Sequence, residues 1–199
     1  DADQRALWHP YTRHSEHRAG LPMMTRGEGP FLYDSAGKRY IDAISSWWCC
    51  NIGHTHPRIV DAIAAQAQQL QHSILGNLSH PRAIELAGRL TDLLPSQPRR
   101  AFFACDGASA VEAALKIAVL YHRQTGAPER QKFISLKEAY HGDTLGAVSV
   151  GYLDAFHSGL RPLIFPVHQI DRPCPGARNF GLCAHTCVDD CLRGVERLF

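Results

Sequence analysis

The chain has 199 residues, of which 45% are hydrophobic and 20% charged, a composition typical of a globular protein large enough to bury a core. Its formal net charge of +2 at pH 7 is too small to indicate nucleic-acid binding, and no run of about 18 apolar residues predicts a membrane span. Seven cysteines without a disulfide-framework spacing, after a polar start without a signal-peptide core, predict free thiols in a reducing cytoplasm.

The first part of the chain predicts irregular structure and then a β-hairpin. Residues 1–20 are polar and predicted to be irregular, with aromatic side chains at Trp8 and Tyr11. Residues 29–44 carry short apolar and aromatic runs on either side of a small, polar turn at 34–37, the pattern of two antiparallel strands.

Two helices are predicted next, at residues 57–72 and 81–94. Each begins with proline, which suits the first turn of a helix, and the first carries an apolar stripe at three- and four-residue steps. Residues 73–79 form the predicted loop between the two helices.

The stretch that follows predicts a strand, a tight turn and a long helix. Residues 101–105 are apolar and of strand length, 106–109 are small, and Ser109 with Glu112 has the spacing of a capping box. Gly126 stands where the helix should end. A helix that begins directly after such a turn presents unpaired N–H groups and a positive dipole end, which favours binding of a phosphate or another anion. An ordinary strand–helix junction is the alternative interpretation, and neither the Walker A nor the G-x-G-x-x-G spacing is present.

The remaining elements favour an α/β fold. A strand is predicted at 132–136, a small-residue turn at 139–144, and a long surface loop with short strands at 153–181. Strands that alternate with helices predict a mainly parallel sheet with helices on both faces. We therefore predict an N-terminal α+β segment at 1–95 and the first part of a larger domain at 96–199.

The ends of the sequence predict that it is truncated. The chain does not begin with methionine, and its last residues, 188–199, have a helical pattern without a terminating signal. We expect the chain to be the N-terminal part of a longer protein.

Four motifs in this order resemble a known family. They are W-H-P-Y at 8–11, S-S-W-W at 45–48, G-H-T-H-P at 53–57 and Y-H-G-D-T at 140–144, with the turn of 106–112 between the last two. Together they resemble the class III aminotransferases, which have fold type I and use pyridoxal 5'-phosphate. Within that class, W-H-P-Y and the double tryptophan resemble most the biotin-biosynthesis branch. That branch transfers an amino group from S-adenosylmethionine to 8-amino-7-oxononanoate, giving 7,8-diaminononanoate.

The resemblance implies which residues bind the cofactor. Gly107, Ala108 and Ser109 match the turn that holds the cofactor phosphate, and Tyr140 matches an aromatic residue stacked on the pyridine ring. Many relatives have a hydroxyl residue where this chain has Ala108, so the backbone N–H groups are the donors expected there.

The resemblance also implies a substrate site and a homodimer. Tyr11, Trp47 and Trp48 match residues that wall the substrate site, together with Tyr140. Packing roles are the alternative for the tryptophans. Active sites of this family form at the interface of a homodimer, and the loop of residues 73–79 is expected to reach the neighbouring subunit's cofactor.

No catalytic residue is expected within this chain. In the family a lysine forms a Schiff base with the cofactor and moves the proton. The four lysines of this chain do not lie in such a context: Lys38, Lys116, Lys132 and Lys137. We expect that lysine beyond Phe199, so the chain alone should not turn over substrate.

Three alternatives remain open from the sequence. A class III enzyme with an ω-amino acid or diamine donor would keep the same scaffold. A non-catalytic truncated or split half would need a partner chain. A metal-binding module would use Cys174, Cys183, Cys187 and Cys191, but their spacing does not match C-x-x-C pairs. We predict free thiols there and no metal site.

Overall fold

The computed structural model describes residues 2–13, 15, 21–95, 99–171 and 196. The chain divides into two compact units, Asp1–Leu86 and Ala87–Phe199. The domain boundary expected from the sequence, after residue 95, stays a prediction. The helical pattern of 188–199, apart from Glu196, lies outside the described residues, as does the cysteine group Cys174, Cys183, Cys187 and Cys191.

A three-stranded antiparallel sheet organises the first unit. Its strands are β1 (Met24–Glu28), β2 (Phe31–Asp34) and β3 (Arg39–Ile41), in the order β1-β2-β3. The strands β2 and β3 confirm the predicted hairpin. The carboxylate of Asp34 closes its turn by accepting the backbone N–H groups of Ala36 and Lys38, each at 2.9 Å.

Strand β1 and a short first helix were not predicted. The sequence of β1, MTRGE, has no alternation of apolar and polar residues and includes a glycine, so only its pairing with β2 makes it a strand. The helix α1 (Ala2–Ala6) lies in the segment predicted to be irregular, and that prediction is wrong there.

The two amphipathic helices are confirmed, each slightly shorter than predicted. They are α3 (Pro57–Gln69) and α4 (Pro81–Asp92), and residues 73–79 between them belong to no helix or strand. Many of their apolar side chains, including Ile63 and Ile84, are exposed in this chain. The described residues therefore leave parts of the apolar faces of α3 and α4 uncovered.

The long helix of the second unit is confirmed, but its predicted cap is wrong. Helix α5 spans Gly107–Gln124, and its N-cap is Asp106 rather than Ser109. Aspartate caps a helix as well as serine does, and Asp106 precedes Ser109, so the helix begins three residues earlier than a Ser109 cap would place it. The Glu112 carboxylate binds the N–H of Gly146 at 2.6 Å, a partner distant in sequence.

The predicted strand at 101–105 is wrong, whereas the next strand is confirmed. Residues 101–105 form no strand, and β4 (Ile134–Leu136) pairs in parallel with β5 (His168–Ile170). An apolar run becomes a strand only where a neighbouring strand supplies hydrogen bonds. In the described part of the chain, β4 and β5 pair only with each other.

The segment predicted as a surface loop from residue 153 contains helical turns. These are α7 (Asp154–His157) and a 3₁₀ helix (Ser158–Leu163), and they follow α6 (Leu145–Val150), which was also not predicted. Burial stabilises α6, because Ala147, Val148 and Val150 are the buried hydrophobic residues of the described chain. Helices this short have no lasting stability without such packing. None of the helices in the described ranges combines the length and hydropathy needed to cross a bilayer.

Candidate functional site

The N-terminus of α5 begins with the three residues predicted to bind phosphate. Gly107, Ala108 and Ser109 are its first residues, so their N–H groups have no acceptor within the helix. Asp106 takes one of them, since its carboxylate accepts the N–H of Ser109 at 2.8 Å and the Ser109 hydroxyl at 2.9 Å. These bonds from Ser109 hold the pKa of Asp106 below its ordinary value. The N–H of Ala108 also bonds the Asp106 carboxylate, so an anion at this turn would bind the N–H of Gly107 and share that of Ala108 with Asp106.

The turn that carries Tyr140 lies directly against this helix start. A Cβ atom on Gly142 would lie 2.4 Å from Cβ and 2.8 Å from Cα of Ala108, and the φ angle of Gly142 is +116°. Both facts require glycine at this position. The structure thus brings together two stretches, 107–109 and 140–143, that lie about thirty residues apart in the sequence.

Tyr140 is anchored at its hydroxyl and open on its ring. The hydroxyl donates to Oδ2 of Asp143 at 2.6 Å, while 52% of the residue is exposed. The ring of His157 stacks near it, with ring centroids 6.3 Å apart and an interplanar angle of 19°. Much of the Tyr140 ring surface consequently remains available to a flat ligand.

A carboxylate that the sequence did not single out for this role joins α5 to α6. Glu112 accepts the N–H of Gly146, and a Cβ on Gly146 would lie 2.5 Å from a Glu112 carboxylate oxygen. The side chain of Thr144 and the N–H groups of Gly146 and Ala147 hold the pKa of Glu112 below its ordinary value. The negative charge of Glu112 thus fixes the start of α6 directly after the Tyr140 turn.

In the first unit, the double tryptophan lies on a left-handed turn. This turn is α2 (Ser45–Trp48), and all four of its residues have positive φ angles, between 47° and 68°. The N–H groups of Trp48 and Cys50 donate to the carbonyl oxygens of Ile44 and Ser45, each at 2.9 Å. Left-handed helical backbone costs about 1–2 kcal/mol per non-glycine residue, so other contacts must hold α2 in place.

Asp42 supplies such contacts. Its Oδ2 atom accepts the Ser46 hydroxyl at 2.8 Å and Nε2–H of His54 at 2.8 Å. The side chains of Asp42 and His54 are only 6% and 13% exposed. Hydrogen bonds from the backbone and hydroxyl of Ser46, and then the bond from His54, lower the pKa of Asp42 to about 2.

His54 in turn is tied to the antiparallel sheet. Its backbone exchanges two hydrogen bonds with Gly29, at 2.8 and 3.1 Å, and Thr55 donates its hydroxyl to the carbonyl of Gly27 at 2.8 Å. The G-H-T-H-P motif therefore joins the sheet to α2. Asp42 was not identified from the sequence as the residue that links them, although its position directly after strand β3 is a recognisable signal for a functional carboxylate.

The predicted substrate residues form an aromatic cluster. The rings of Tyr11 and Trp47 meet edge to face with centroids 5.3 Å apart, and the rings of Trp47 and Trp48 lie 6.5 Å apart. Tyr11 is 70% exposed, Trp47 51% and Trp48 70%. Their exposed ring surfaces give this part of the chain a wall on which an apolar substrate can pack.

The described residues offer little to a metal ion. No group of three or more His, Cys, Asp or Glu side chains is arranged for metal binding within these ranges. Cys49, Cys50 and Cys105 are free thiols. Of the lysines, Lys137 is paired with Asp171 at 2.8 Å.

Comparisons with known proteins identify the family of the chain. The model of the class III aminotransferase family matches residues 12–198. The adenosylmethionine-8-amino-7-oxononanoate aminotransferase of Geobacter sulfurreducens is 41% identical to the chain over 203 residues, covering 100% of this chain and 44% of the relative. The chain thus spans less than half the length of that curated relative.

Solved structures show the same fold. The crystal structure of adenosylmethionine-8-amino-7-oxononanoate aminotransferase from Methanocaldococcus jannaschii is 42% identical, with a TM-score of 0.82 over 86% of this chain and 40% of that one. An amine transaminase from an uncultivated Pseudomonas species, solved in its PLP-bound form, is 31% identical, with a TM-score of 0.81 over 97% of this chain and 44% of that one. The predicted α/β fold of type I is confirmed. By its sequence and by its fold, the chain belongs to the class III aminotransferase family.

Proposed function

We propose that this chain supplies the cofactor-phosphate turn and one wall of the substrate site of a pyridoxal-phosphate-dependent aminotransferase. The enzyme would transfer an amino group from S-adenosylmethionine to 8-amino-7-oxononanoate and release 7,8-diaminononanoate. The observation that carries the proposal is the close approach of Gly142 to Ala108, which sets the Tyr140 turn on the N-terminus of α5. A helix N-terminus next to an aromatic side chain suits a ligand that carries both a phosphate group and a flat ring.

The residues present fit this cofactor in two ways. The N–H groups of Gly107 and Ala108 would bind the phosphate, while Asp106 keeps the N–H of Ser109. The exposed ring of Tyr140 would lie along the pyridine ring, and Asp143 would fix its orientation through the tyrosine hydroxyl. When bound, pyridoxal phosphate supplies the electron sink that amino transfer requires. We place the lysine that binds it covalently outside residues 1–199.

The aromatic cluster supports the proposed amino acceptor. The chain of 8-amino-7-oxononanoate between its polar ends is a run of methylene groups, and burying each against a ring contributes about 0.8 kcal/mol. Tyr11, Trp47 and Trp48 present such ring surfaces. The relatives of about 40% identity carry the name of this aminotransferase, which favours it over the alternative of another amine donor.

The alternative has its own support, since amine transaminases match the fold nearly as well, with a TM-score of 0.81. The two functions differ in the amino donor. A class III enzyme for ω-amino acids or diamines would accept those compounds with the same scaffold, and would not need S-adenosylmethionine.

We also propose that the enzyme is a homodimer and that it acts in the cytoplasm. Exposed apolar side chains on α3 and α4 are typical of surfaces that a further part of the protein or a partner covers. Ile74, Leu75 and Leu78 of the loop at 73–79 are exposed as well, which supports a contact between this loop and a second subunit.

The test is an amino-transfer assay on the whole protein with each class of donor. We expect 7,8-diaminononanoate with S-adenosylmethionine as donor, and little or none with ω-amino acids or diamines. Replacing Trp47 with alanine should raise KM for 8-amino-7-oxononanoate about tenfold or more, because the proposed ring contact with the substrate is lost. The variant Trp8→Ala is a matched control, since Trp8 was not assigned to the substrate site. Transfer from diamines alone would support the alternative function, and an unchanged KM in Trp47→Ala would refute the substrate site.

A further inference from the structure

His157 is a buried titratable residue without an assigned role. It is the last residue of α7, and only 2% of it is exposed. Its Nδ1 atom accepts the backbone N–H of Leu153 at 3.0 Å. A ring nitrogen that accepts a hydrogen bond carries no proton, so the proton of the neutral imidazole must lie on Nε2.

The Nε2–H group faces the carboxylate that anchors Tyr140. Its distance to Oδ1 of Asp143 is 3.7 Å, slightly beyond hydrogen-bonding range, and it has no other hydrogen-bond partner among the described residues. Oδ2 of Asp143 accepts the Tyr140 hydroxyl, whereas Oδ1 is the oxygen that faces His157. An N–H group buried without a partner is unfavourable, so a small approach of Asp143 is favoured.

The aromatic rings around His157 restrict its movement. Tyr140 stacks on one side with centroids 6.3 Å apart, and the rings of Tyr152 and Phe156 lie 5.9 and 6.3 Å from it. The imidazole is thus held by packing and by the bond to Leu153. A group held in this way can fix the position of the carboxylate that it faces.

We propose that His157 is a positioning residue for Tyr140: its Nε2–H group donates to Asp143, and Asp143 in turn orients the tyrosine ring that lies on the cofactor. The inference rests on the proposed cofactor role of Tyr140. The proposed relay runs from Leu153 through His157 and Asp143 to Tyr140 and involves only residues of this chain, so it can be tested without cofactor.

The first measurement is the tautomer of His157 in the whole protein without cofactor. In protein labelled with ¹⁵N-histidine, long-range ¹H–¹⁵N spectra distinguish a protonated Nε2 from a protonated Nδ1. We expect the Nε2–H form, and we expect Asp143→Asn to shift the His157 Nε2 resonance. The Nδ1–H form, or an Nε2 resonance that Asp143→Asn leaves unchanged, would overturn the proposal.

The second measurement compares two substitutions by pyridoxal-phosphate affinity and by the circular dichroism induced in the bound cofactor. His157→Phe keeps an aromatic ring but has no donor, whereas His157→Gln restores an N–H donor. We expect His157→Phe to raise the cofactor Kd about tenfold and to reduce the induced signal, because a hydrogen bond to a charged group is lost. His157→Gln should recover most of both. His168→Gln, an exposed histidine of the same unit, is the control and should behave as wild type.

The outcomes separate this proposal from the proposed function. If Tyr140→Ala leaves the cofactor Kd unchanged, the cofactor role of Tyr140 fails, while the tautomer still tests the relay. If Tyr140→Ala weakens binding but His157→Phe does not, the positioning role is refuted. An equal loss in His157→Phe and His157→Gln would also refute it, because packing alone would then account for the effect. Where neither His157 variant folds, the tautomer and its response to Asp143→Asn decide.

Discussion

Replacing Gly142 with alanine tests whether the Tyr140 turn must meet the start of α5. The added methyl group would lie 2.4 Å from Cβ and 2.8 Å from Cα of Ala108, closer than two nonbonded carbon atoms can approach. Overpacking of this kind costs about 1–3 kcal/mol. The φ angle of +116°, which L residues rarely adopt, costs about 1–3 kcal/mol more. We therefore expect Gly142→Ala to lower the free energy of unfolding by about 2–6 kcal/mol.

The assay is urea unfolding of the whole protein, with pyridoxal-phosphate affinity measured in parallel. Gly88→Ala is a matched control, because Gly88 lies within α4, has no positive φ angle and has nothing within 4 Å of its added Cβ. That substitution should stabilise the protein by up to about 1 kcal/mol. The double variant Ala108→Gly/Gly142→Ala removes the 2.4 Å contact but keeps the 2.8 Å contact and the strained φ angle, so it should recover only part of the loss.

Cofactor affinity should fall with stability, since any relief of the overlap moves Tyr140 away from the N-terminus of α5. A Gly142→Ala protein within 0.5 kcal/mol of wild type, a value on the order of an ordinary surface substitution, would refute the close approach of the two stretches. A large loss of stability with unchanged cofactor affinity would instead refute the cofactor role of this junction.

Three further predictions follow from other parts of the chain. Acid should disrupt the left-handed turn α2. In the fold, the pKa of Asp42 is lowered from its ordinary 3.8 to about 2. The stabilisation that the Asp42 carboxylate gives to the fold is therefore complete above about pH 4 and is lost as the pH falls through about 2. Tryptophan fluorescence should report this transition in the wild type, and the Asp42→Asn variant should lack it. Identical acid profiles of the two proteins would contradict the role of Asp42 in holding α2. Glu112→Ala should lower the free energy of unfolding by about 1–2 kcal/mol, because the buried N–H of Gly146 loses its acceptor, whereas Glu112→Gln keeps an acceptor and should lose less. Urea unfolding measures both, and equal stability of the two variants would argue against this bond. Finally, borohydride reduction of this chain with pyridoxal phosphate should leave its intact mass unchanged, and a stoichiometric adduct on one of its four lysines would place the cofactor lysine within the chain.

Local sequence signals were sufficient for the regular elements of the chain. Proline at the first helical turn and an apolar stripe defined α3, and the small turn between aromatic runs defined the β2–β3 hairpin. The motifs also predicted the family correctly, since the class III aminotransferase model matches residues 12–198. The helices and the hairpin depend on residues near each other in the sequence, and each motif is a short run of residues, so a single sequence contains these signals.

The errors and omissions all involve partners distant in sequence. Strand β1 exists through its pairing with β2, and α6 through the burial of Val148. The carboxylate of Glu112 binds Gly146 instead of closing a capping box. Residues 101–105 have the composition of a strand, yet no strand forms there in the described chain. In each case the presence or absence of a tertiary contact decides the structure, because the local preference is worth only about 1 kcal/mol or less.

By itself, the sequence of this protein determined the amphipathic helices, the hairpin and the family, and it predicted the residues that we propose to bind a phosphate and a flat ring. Only the tertiary structure decided that Gly142 lies against Ala108, that Asp42 and His54 hold the left-handed turn that carries the tryptophans, and that His157 faces Asp143. The physical reason is that steric contact and hydrogen bonding depend on distances of a few ångströms between atoms. The chain sets those distances only when segments that are far apart in sequence pack against each other.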